Sequence, residues 1–371
     1  MAERRETERI LQAIRDVRAA GQRAAIATVV RVRGSAYRRE GTRILVRQDG
    51  SYECLLSGGC LEPAVADAAA RVIDTGEPVV VSYDLEEDSI WGLGIGCSGA
   101  VDIRIERLEA DALTGAWLDM LRAGRAGALV TPLAGAPGRL LVSDDRAPEG
   151  TLGDPDLDAA AATVALDRLR APHAHSGSER CGHAELFFEL SLPSPKLVVF
   201  GAGSDATPLV EQAWPLGFAV TVVDVRAAFL TPERFPSATL IPAHFSEFPQ
   251  KLSLDERTFV VIMNHHLERD WESLRFALTS SAPYVGVLGP RSRFRKLLGA
   301  LESLGCEPDA SALARVRSPV GLAVGAETPE EIALSILGEI VAVHRGFQGG
   351  FLSGREESLH RPADIRSMAR S

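Results

Sequence analysis

LVVFGAGSDATPLVEQAWPLGFAVTVVD, residues 197 to 224, decides the fold of this chain. Leu197 to Phe200 is a short apolar run that ends in Gly201-Ala202-Gly203, with Ala206 opening a helical pattern that closes at Gly217. Phe218 to Val223 is a second β-branched run, and it ends on Asp224, roughly twenty residues past the glycines, where a dinucleotide fold carries its ribose acid. Strand, glycine turn, helix and strand predict a mononucleotide-binding half-fold. In it Gly201 allows the tight turn, Gly203 lets backbone amides approach a phosphate, and Ala206 keeps the helix close to the sheet. Arg226 follows Asp224 closely, so a nicotinamide dinucleotide in this fold could be NAD or NADP.

Working outward, Thr239–Ile241, Thr258–Met263 and Tyr284–Leu288 read as further strands, with helices over Trp271–Leu278 and Arg291–Leu304 between and after them. Alternating strand and helix predicts a parallel sheet. Thr328-Pro329-Glu330-Glu331 is a capping box with proline at the first helical position, which starts a long helix running to about Val343. Upstream, Pro193-Ser194-Pro195 is a stiff connector. The expected organisation is a mixed α/β N-terminal domain over 1–192, a linker at 193–196, a Rossmann-like domain over 197–345, and a glycine-containing then charged tail over 346–371.

The N-terminal part opens with an amphipathic helix over 4–20, then a strand over Ala24–Arg33 and a hairpin marked by Asp49-Gly50. A third strand enters Ser57-Gly58-Gly59-Cys60, and Leu61–Asp74 reads as a helix with Pro63 in its first turn. Cys60 therefore sits at a helix start, where backbone amides favour a thiolate and the Ser57 hydroxyl can cap or donate. The other reading is a small buried hydrophobe behind a glycine turn. Cys97 stands in a second glycine-rich loop, Trp91 to Gly99, and the same two readings apply to it. Cys54, Cys181 and Cys306 lack such surroundings and read as structural.

With 371 residues, 46% apolar and 24% charged, the chain is long enough for two domains with ample cores. A net charge of −10 with dispersed arginines argues against nucleic acid and anionic membrane as partners. No apolar run reaches the length of a membrane helix and the N-terminus lacks a signal h-region, so the expected compartment is the cytoplasm. Five cysteines without CxxC pairing give no disulfide framework or standard zinc site.

Two further segments follow strands in the Rossmann-like part and so face its crevice. Asn264-His265-His266 offers His265 to a polar ligand, and Gly289-Pro290-Arg291-Ser292-Arg293 offers Arg291 and Arg293 to an anion. Adjacent histidines point apart, so no metal site is expected there.

Seven stretches taken together resemble the XdhC/CoxI family, the xanthine dehydrogenase accessory factors. They are GSAYRREGTRILV, LSGGCLEPAV, YDLEEDSIWGLGIGCSGAVDI, LVVFGAGSDATPLV, VVDVR, YVGVLGPRSR and PVGLAVGAETPEEIALSILGEIV, in family order between about residues 34 and 343. The resemblance implies a protein that binds the molybdenum cofactor (molybdopterin), helps it acquire its terminal sulfur and delivers it to an apo molybdenum hydroxylase of the xanthine dehydrogenase type. It also implies a sulfur donor such as a cysteine desulfurase, and cofactor or sulfur handling by Cys60 and Cys97. An anionic pterin phosphate would then meet Gly201, Gly203 and Ala206 together with Arg291 and Arg293. The chain departs from the family pattern at Ser204, where His is common, and at Asn264-His265, where Thr-His is common. An NAD(P)-dependent oxidoreductase using Asp224, with Cys60 or His265 for chemistry, is the alternative; an interaction scaffold with an empty nucleotide fold is a third. The apolar terminal helix and glycine-rich tail suggest a homodimer.

Overall fold

The computed structural model describes residues 2–34, 36–85, 99–135, 138–171, 173–306 and 308–353, with side chains from residue 6 onward. Two compact units divide them, one from Glu3 to Pro193 and the other from Ser194 to Gly350.

In the N-terminal unit the order is α1 (Ala2–Ala19), β1 (Ala24–Gly34), β2 (Arg43–Arg47), β3 (Tyr52–Glu53), α2 (Glu62–Thr75), β4 (Val79–Asp84) and β5 (Gly99–Arg107). It continues with α3 (Ala112–Ala123), β6 (Gly127–Pro132), β7 (Arg139–Ser143), β8 (Arg146–Thr151), α4 (Pro155–Arg170), β9 (Gly177–Cys181) and β10 (Ala184–Ser191). Its strands form two antiparallel five-stranded sheets, ordered β3-β2-β1-β5-β4 and β8-β7-β6-β10-β9. On the first sheet, Ile10, Leu11, Ile14 and Val17 of α1 and Val65, Ala69, Val72 and Ile73 of α2 close one core. These residues recur at helical spacing, so each helix turns one apolar stripe to the strands. The second sheet is covered on both faces: Ala128 and Val130 of β6 pack with Leu157, Ala161 and Ala165 of α4, while the intervening Leu129 packs with Trp117 and Met120 of α3. Period-two alternation along β6 produces that split.

In the second unit the order is β11 (Lys196–Phe200), α5 (Ala206–Ala213), β12 (Ala219–Asp224), β13 (Ala238–Pro242), α6 (Phe248–Lys251), β14 (Thr258–Ile262) and α7 (Leu267–Leu278). There follow β15 (Tyr284–Val287), α8 (Arg291–Ser303), α9 (Ala310–Ala314), β16 (Val316–Arg317) and α10 (Pro329–Arg345). All six strands are parallel, ordered β13-β12-β11-β14-β15-β16. Leu197 and Val199 face α5 and α10, and Val198 and Phe200 face α7 and α8. From β11 the chain winds outward through β12 and β13, then returns to β14 on the other side. That reversal opens a crevice at the carboxyl ends of β11 and β14, the position where open parallel sheets bind ligands.

The fold class matches the expectation of a mixed α/β N-terminal part followed by a Rossmann-like parallel sheet. Several elements differ in extent. The glycine-turn helix ends at Ala213 rather than near Gly217, and α2 runs over Glu62–Thr75 rather than Leu61–Asp74. Asp111 sets the start of α3 at Ala112, because its carboxylate accepts the Thr114 N–H and caps the helix.

Candidate functional sites

Between β3 and α2 the chain makes a turn from Leu56 to Leu61 that carries Cys60. Glu62, the first residue of α2, has no solvent exposure. Its Oε1 accepts the N–H groups of Leu56 at 2.8 Å and Ser57 at 2.7 Å, and its Oε2 accepts the Ser57 hydroxyl at 2.6 Å. Burial works against the charge, but the Ser57 hydroxyl and these amides outweigh it and hold the carboxyl below its ordinary range. Ser57 Oγ in turn accepts the N–H groups of Gly59 at 3.3 Å, Cys60 at 3.0 Å and Leu61 at 3.0 Å. The thiol-bearing residue is exposed.

This corrects one part of the expectation for Cys60. The residue stands just ahead of the helix, as expected, but the amides of its turn donate to Ser57 Oγ rather than facing the thiol. It also rules out the reading of Cys60 as a buried small hydrophobe. Gly58 and Gly59 leave the turn open: a Cβ on either would meet nothing within 4 Å, and Gly59 has φ +107°. Cys97 and the second glycine loop as far as Ser98 lie outside the described residues. Cys54 and Cys181 are buried, and burial pushes both thiols up. Cys306 is partly buried.

In the second unit the glycine turn is fixed on every side. Gly201, at φ +113°, donates its N–H to Val223 O at 2.8 Å, and an added Cβ would meet Met263 O at 2.5 Å. Gly201 thus lets β11 lie against the end of β14. The Ala202 N–H donates to Asp224 Oδ2 at 2.8 Å, and Arg234 donates to the carbonyls of Ala202 and Gly203, each at 3.0 Å. Ala206 is fully buried and seats α5 on the sheet. The backbone amides of Gly203, Ser204 and Asp205 meet no protein acceptor among the described residues, and they are the groups an anion would use.

Asp224 is held by its own chain. Oδ1 accepts the Arg226 N–H at 2.8 Å and Nε at 3.0 Å, and Oδ2 accepts Arg226 Nη2 at 2.7 Å. Burial opposes the charge, yet the Arg226 side chain and the Ala202 and Arg226 amides keep this carboxyl below its ordinary range. A ribose hydroxyl would have to displace Arg226, whose guanidinium also lies over the Phe229 ring at 4.2 Å.

At the end of β14, His265 takes a left-handed backbone, φ +57°, which is uncommon for a residue with a side chain. That conformation places Nε2 at 2.6 Å from Asp205 Oδ2 in the glycine turn. Facing a carboxylate oxygen, Nε2 is the donor of this hydrogen bond. Asp205 Oδ1 is buried without a hydrogen-bond partner and lies 2.6 Å from where a Cβ on Gly203 would stand. Beside His265 is a cleft of about 220 Å³, lined by Met263, Leu288, Gly289, Pro290 and the Asp270–Arg293 pair. Asp270, 1% exposed, accepts the Asn264 N–H at 3.0 Å and Asn264 Nδ2 at 3.1 Å on Oδ1, and Arg293 Nε at 3.1 Å on Oδ2. Arg293 thus already meets a buried carboxylate in this structure. Arg291, at the first position of α8, is exposed. Among the described residues no group of three His, Cys, Asp or Glu side chains forms a metal site, and no helix is long and apolar enough to cross a membrane.

Sequence reading missed Glu62, Asp205, Arg234 and Asp270. Asp205 and His265 lie 60 residues apart and meet only through the β11–β14 pairing. Glu62 had a local signal, a carboxylate two residues past the cysteine, but its burial follows from the packing of α2.

A parallel sheet with a glycine turn at its switch point, joined to a unit that presents a cysteine on an open glycine turn, defines the class. Residues 197–340 match the family described as XdhC Rossmann domain, and residues 17–84 match the XdhC and CoxI family. The chain is 31% identical over 332 residues to a probable xanthine dehydrogenase subunit from Bacillus subtilis, covering 87% of this chain and 94% of that one. It is 26% identical over 325 residues to the molybdenum cofactor insertion chaperone PaoD of Escherichia coli, covering 87% and 84%. A crystal structure described as a xanthine dehydrogenase from Bacillus halodurans superposes with a TM-score of 0.72 at 30% identity, covering 91% of this chain and 96% of that one. The chain belongs to the XdhC and CoxI family.

Proposed function

We propose that this protein binds the molybdenum cofactor as cargo, supports its sulfuration, and inserts it into a molybdenum hydroxylase of the xanthine dehydrogenase type. The observation that carries this reading is the exposed Cys60 on an open glycine turn, in a chain similar over most of its length to a named cofactor insertion chaperone. A thiolate is a soft ligand suited to molybdenum or to sulfur relay. The unpaired amides of Gly203, Ser204 and Asp205 suit the phosphate of a pterin, with Arg291 at a neighbouring helix start. Gly203 has no side chain where a Cβ would crowd Asp205 Oδ1, so the cradle fits a ligand that approaches the backbone closely. Cys97 belongs to the same reading by its motif, as do a sulfur donor of the cysteine desulfurase kind, a cytoplasmic setting and a homodimer.

The engagement of Asp224 by Arg226 weighs against the NAD(P)-dependent alternative, because the ribose acid is already paired. The test is transfer. Protein incubated anaerobically with sulfurated cofactor, then mixed with apo-hydroxylase, should restore xanthine oxidation, and Cys60→Ser should reduce that restoration at least about tenfold. Restoration no better than with free cofactor, together with tight NADH binding, would overturn the reading.

A further inference from the structure

We propose that Glu62 is the positioning residue for Cys60, acting through the Ser57 hydroxyl. Glu62 has no solvent exposure, the least of any carboxylate among the described residues. A buried charge is tolerated only when its lone pairs are met by donors, and here the donors are two amides and one hydroxyl of the preceding turn. Ser57 has a single hydroxyl proton. Because that proton is committed to Glu62 Oε2, Ser57 Oγ can act toward the turn only as an acceptor, and it gathers the amides of Gly59, Cys60 and Leu61.

The packing around the turn shows why this arrangement sets the position of Cys60. Cys60 is exposed, and neither Gly58 nor Gly59 has a neighbour that a Cβ would touch. Leu56 and Leu61 anchor the two ends of the turn in the core, but side-chain packing does not hold it at Gly58 and Gly59, so between those anchors its conformation rests on hydrogen bonds that converge on one oxygen. The start of α2 alone would not require the set. Pro63 has no N–H to satisfy, and the N-cap residue Leu61 makes no side-chain cap. Glutamine at position 62 would keep an acceptor for the Leu56 and Ser57 amides. Its NH2 would face Ser57 Oγ, compete with the three turn amides and leave the Ser57 proton without its acceptor.

This inference rests on the reading of Cys60 as the thiol that meets the cofactor, and its test separates the two. Full-length wild type, Glu62→Gln, Ser57→Ala and Ser57→Thr are alkylated with iodoacetamide, and the Cys60 peptide is followed by mass spectrometry. Thermal melting and retention of the molybdenum cofactor are measured in parallel. Glu62→Gln and Ser57→Ala should melt cooperatively, raise the Cys60 alkylation rate by about fivefold, and retain correspondingly less cofactor, a change of the size one such hydrogen bond supports. Ser57→Thr, which keeps the hydroxyl, should stay within about twofold of wild type in each readout. Wild-type alkylation in folded Glu62→Gln and Ser57→Ala overturns the proposal. Loss of cooperative melting in both overturns it too, since the hub would then be a folding element. If alkylation responds as expected but the wild type binds no cofactor, Glu62 stands as the residue that positions the thiol and the cofactor reading falls.

Discussion

Gly201 and Gly203 belong to one motif, and the structure gives them different jobs that a matched pair of alanine substitutions separates. At Gly201 a Cβ would stand 2.5 Å from Met263 O, 2.7 Å from Met263 C and 2.8 Å from Asn264 Cα, all of them backbone, and φ is +113°. Positive-φ strain for a residue with a side chain costs about 1–3 kcal/mol, and forcing apart two paired strand ends adds about 1–3 kcal/mol. About 3 kcal/mol is a conservative sum, and for a unit of this size each kcal/mol lowers the melting temperature by about 3 °C. Gly201→Ala should therefore lower the transition of the Rossmann-like unit by about 9 °C in differential scanning calorimetry. At Gly203 the nearest atom is Asp205 Oδ1 at 2.6 Å, the end of a side chain, and φ is not positive. Gly203→Ala should melt within about 3 °C of wild type, because only a side chain has to move, while filling the cradle should weaken cofactor binding at least about tenfold. Equal melting temperatures for Gly201→Ala and wild type would refute the close approach of β11 and β14 as the reason for that glycine.

Three other outcomes follow from the same geometry. The Asp224 carboxyl is held below its unfolded value, so it contributes stability above about pH 4 that disappears as pH falls through the folded value. Asp224→Asn should cost about 1–3 kcal/mol near neutral pH, and the gap between its urea midpoint and that of wild type should shrink as pH falls below the unfolded carboxylate value of about 4; a gap that does not shrink as acid is added contradicts this role for Asp224. Arg293→Ala strands the buried Asp270 charge and should destabilise by about 3 kcal/mol, whereas exposed Arg291→Ala should stay within about 0.5 kcal/mol; equal denaturation midpoints for the two would remove the distinction. His265→Gly relieves the φ +57° backbone but loses the Asp205 contact, so it should melt near wild type and yet weaken cofactor binding. Unchanged cofactor affinity would take His265 out of the crevice.

Much of the Rossmann-like half was legible because its signals are local. The β-branched runs, the glycine turn and the capping box at Thr328–Glu331 each act within a few residues, and all three appear in the structure. The N-terminal sheets were harder to read. Strand β8, with sequence RAPEGT, and strand β9, with sequence GSERC, lie at the two edges of their sheet and show no hydrophobic alternation, so nothing in their sequence separates them from loops. Among site residues, Cys60, Ser57 and the glycines stood out by type and spacing. Glu62, Asp270 and Asp205 did not, because the burial of an acid and its pairing across the fold are products of tertiary packing. The pairing of Arg293 was hidden for the same reason: sequence gives a cation near a helix start, and only the packing of α7 against α8 shows that Asp270 already meets it.

The most direct measurement of the central claim is the molybdenum and pterin content of the full-length protein, purified anaerobically from a host that makes the cofactor, beside Cys60→Ala and Cys97→Ala. Near-stoichiometric molybdenum and pterin are expected in the wild type, with a clear fall in Cys60→Ala. Wild-type protein free of pterin, from cells in which the cofactor is demonstrably present, would contradict it.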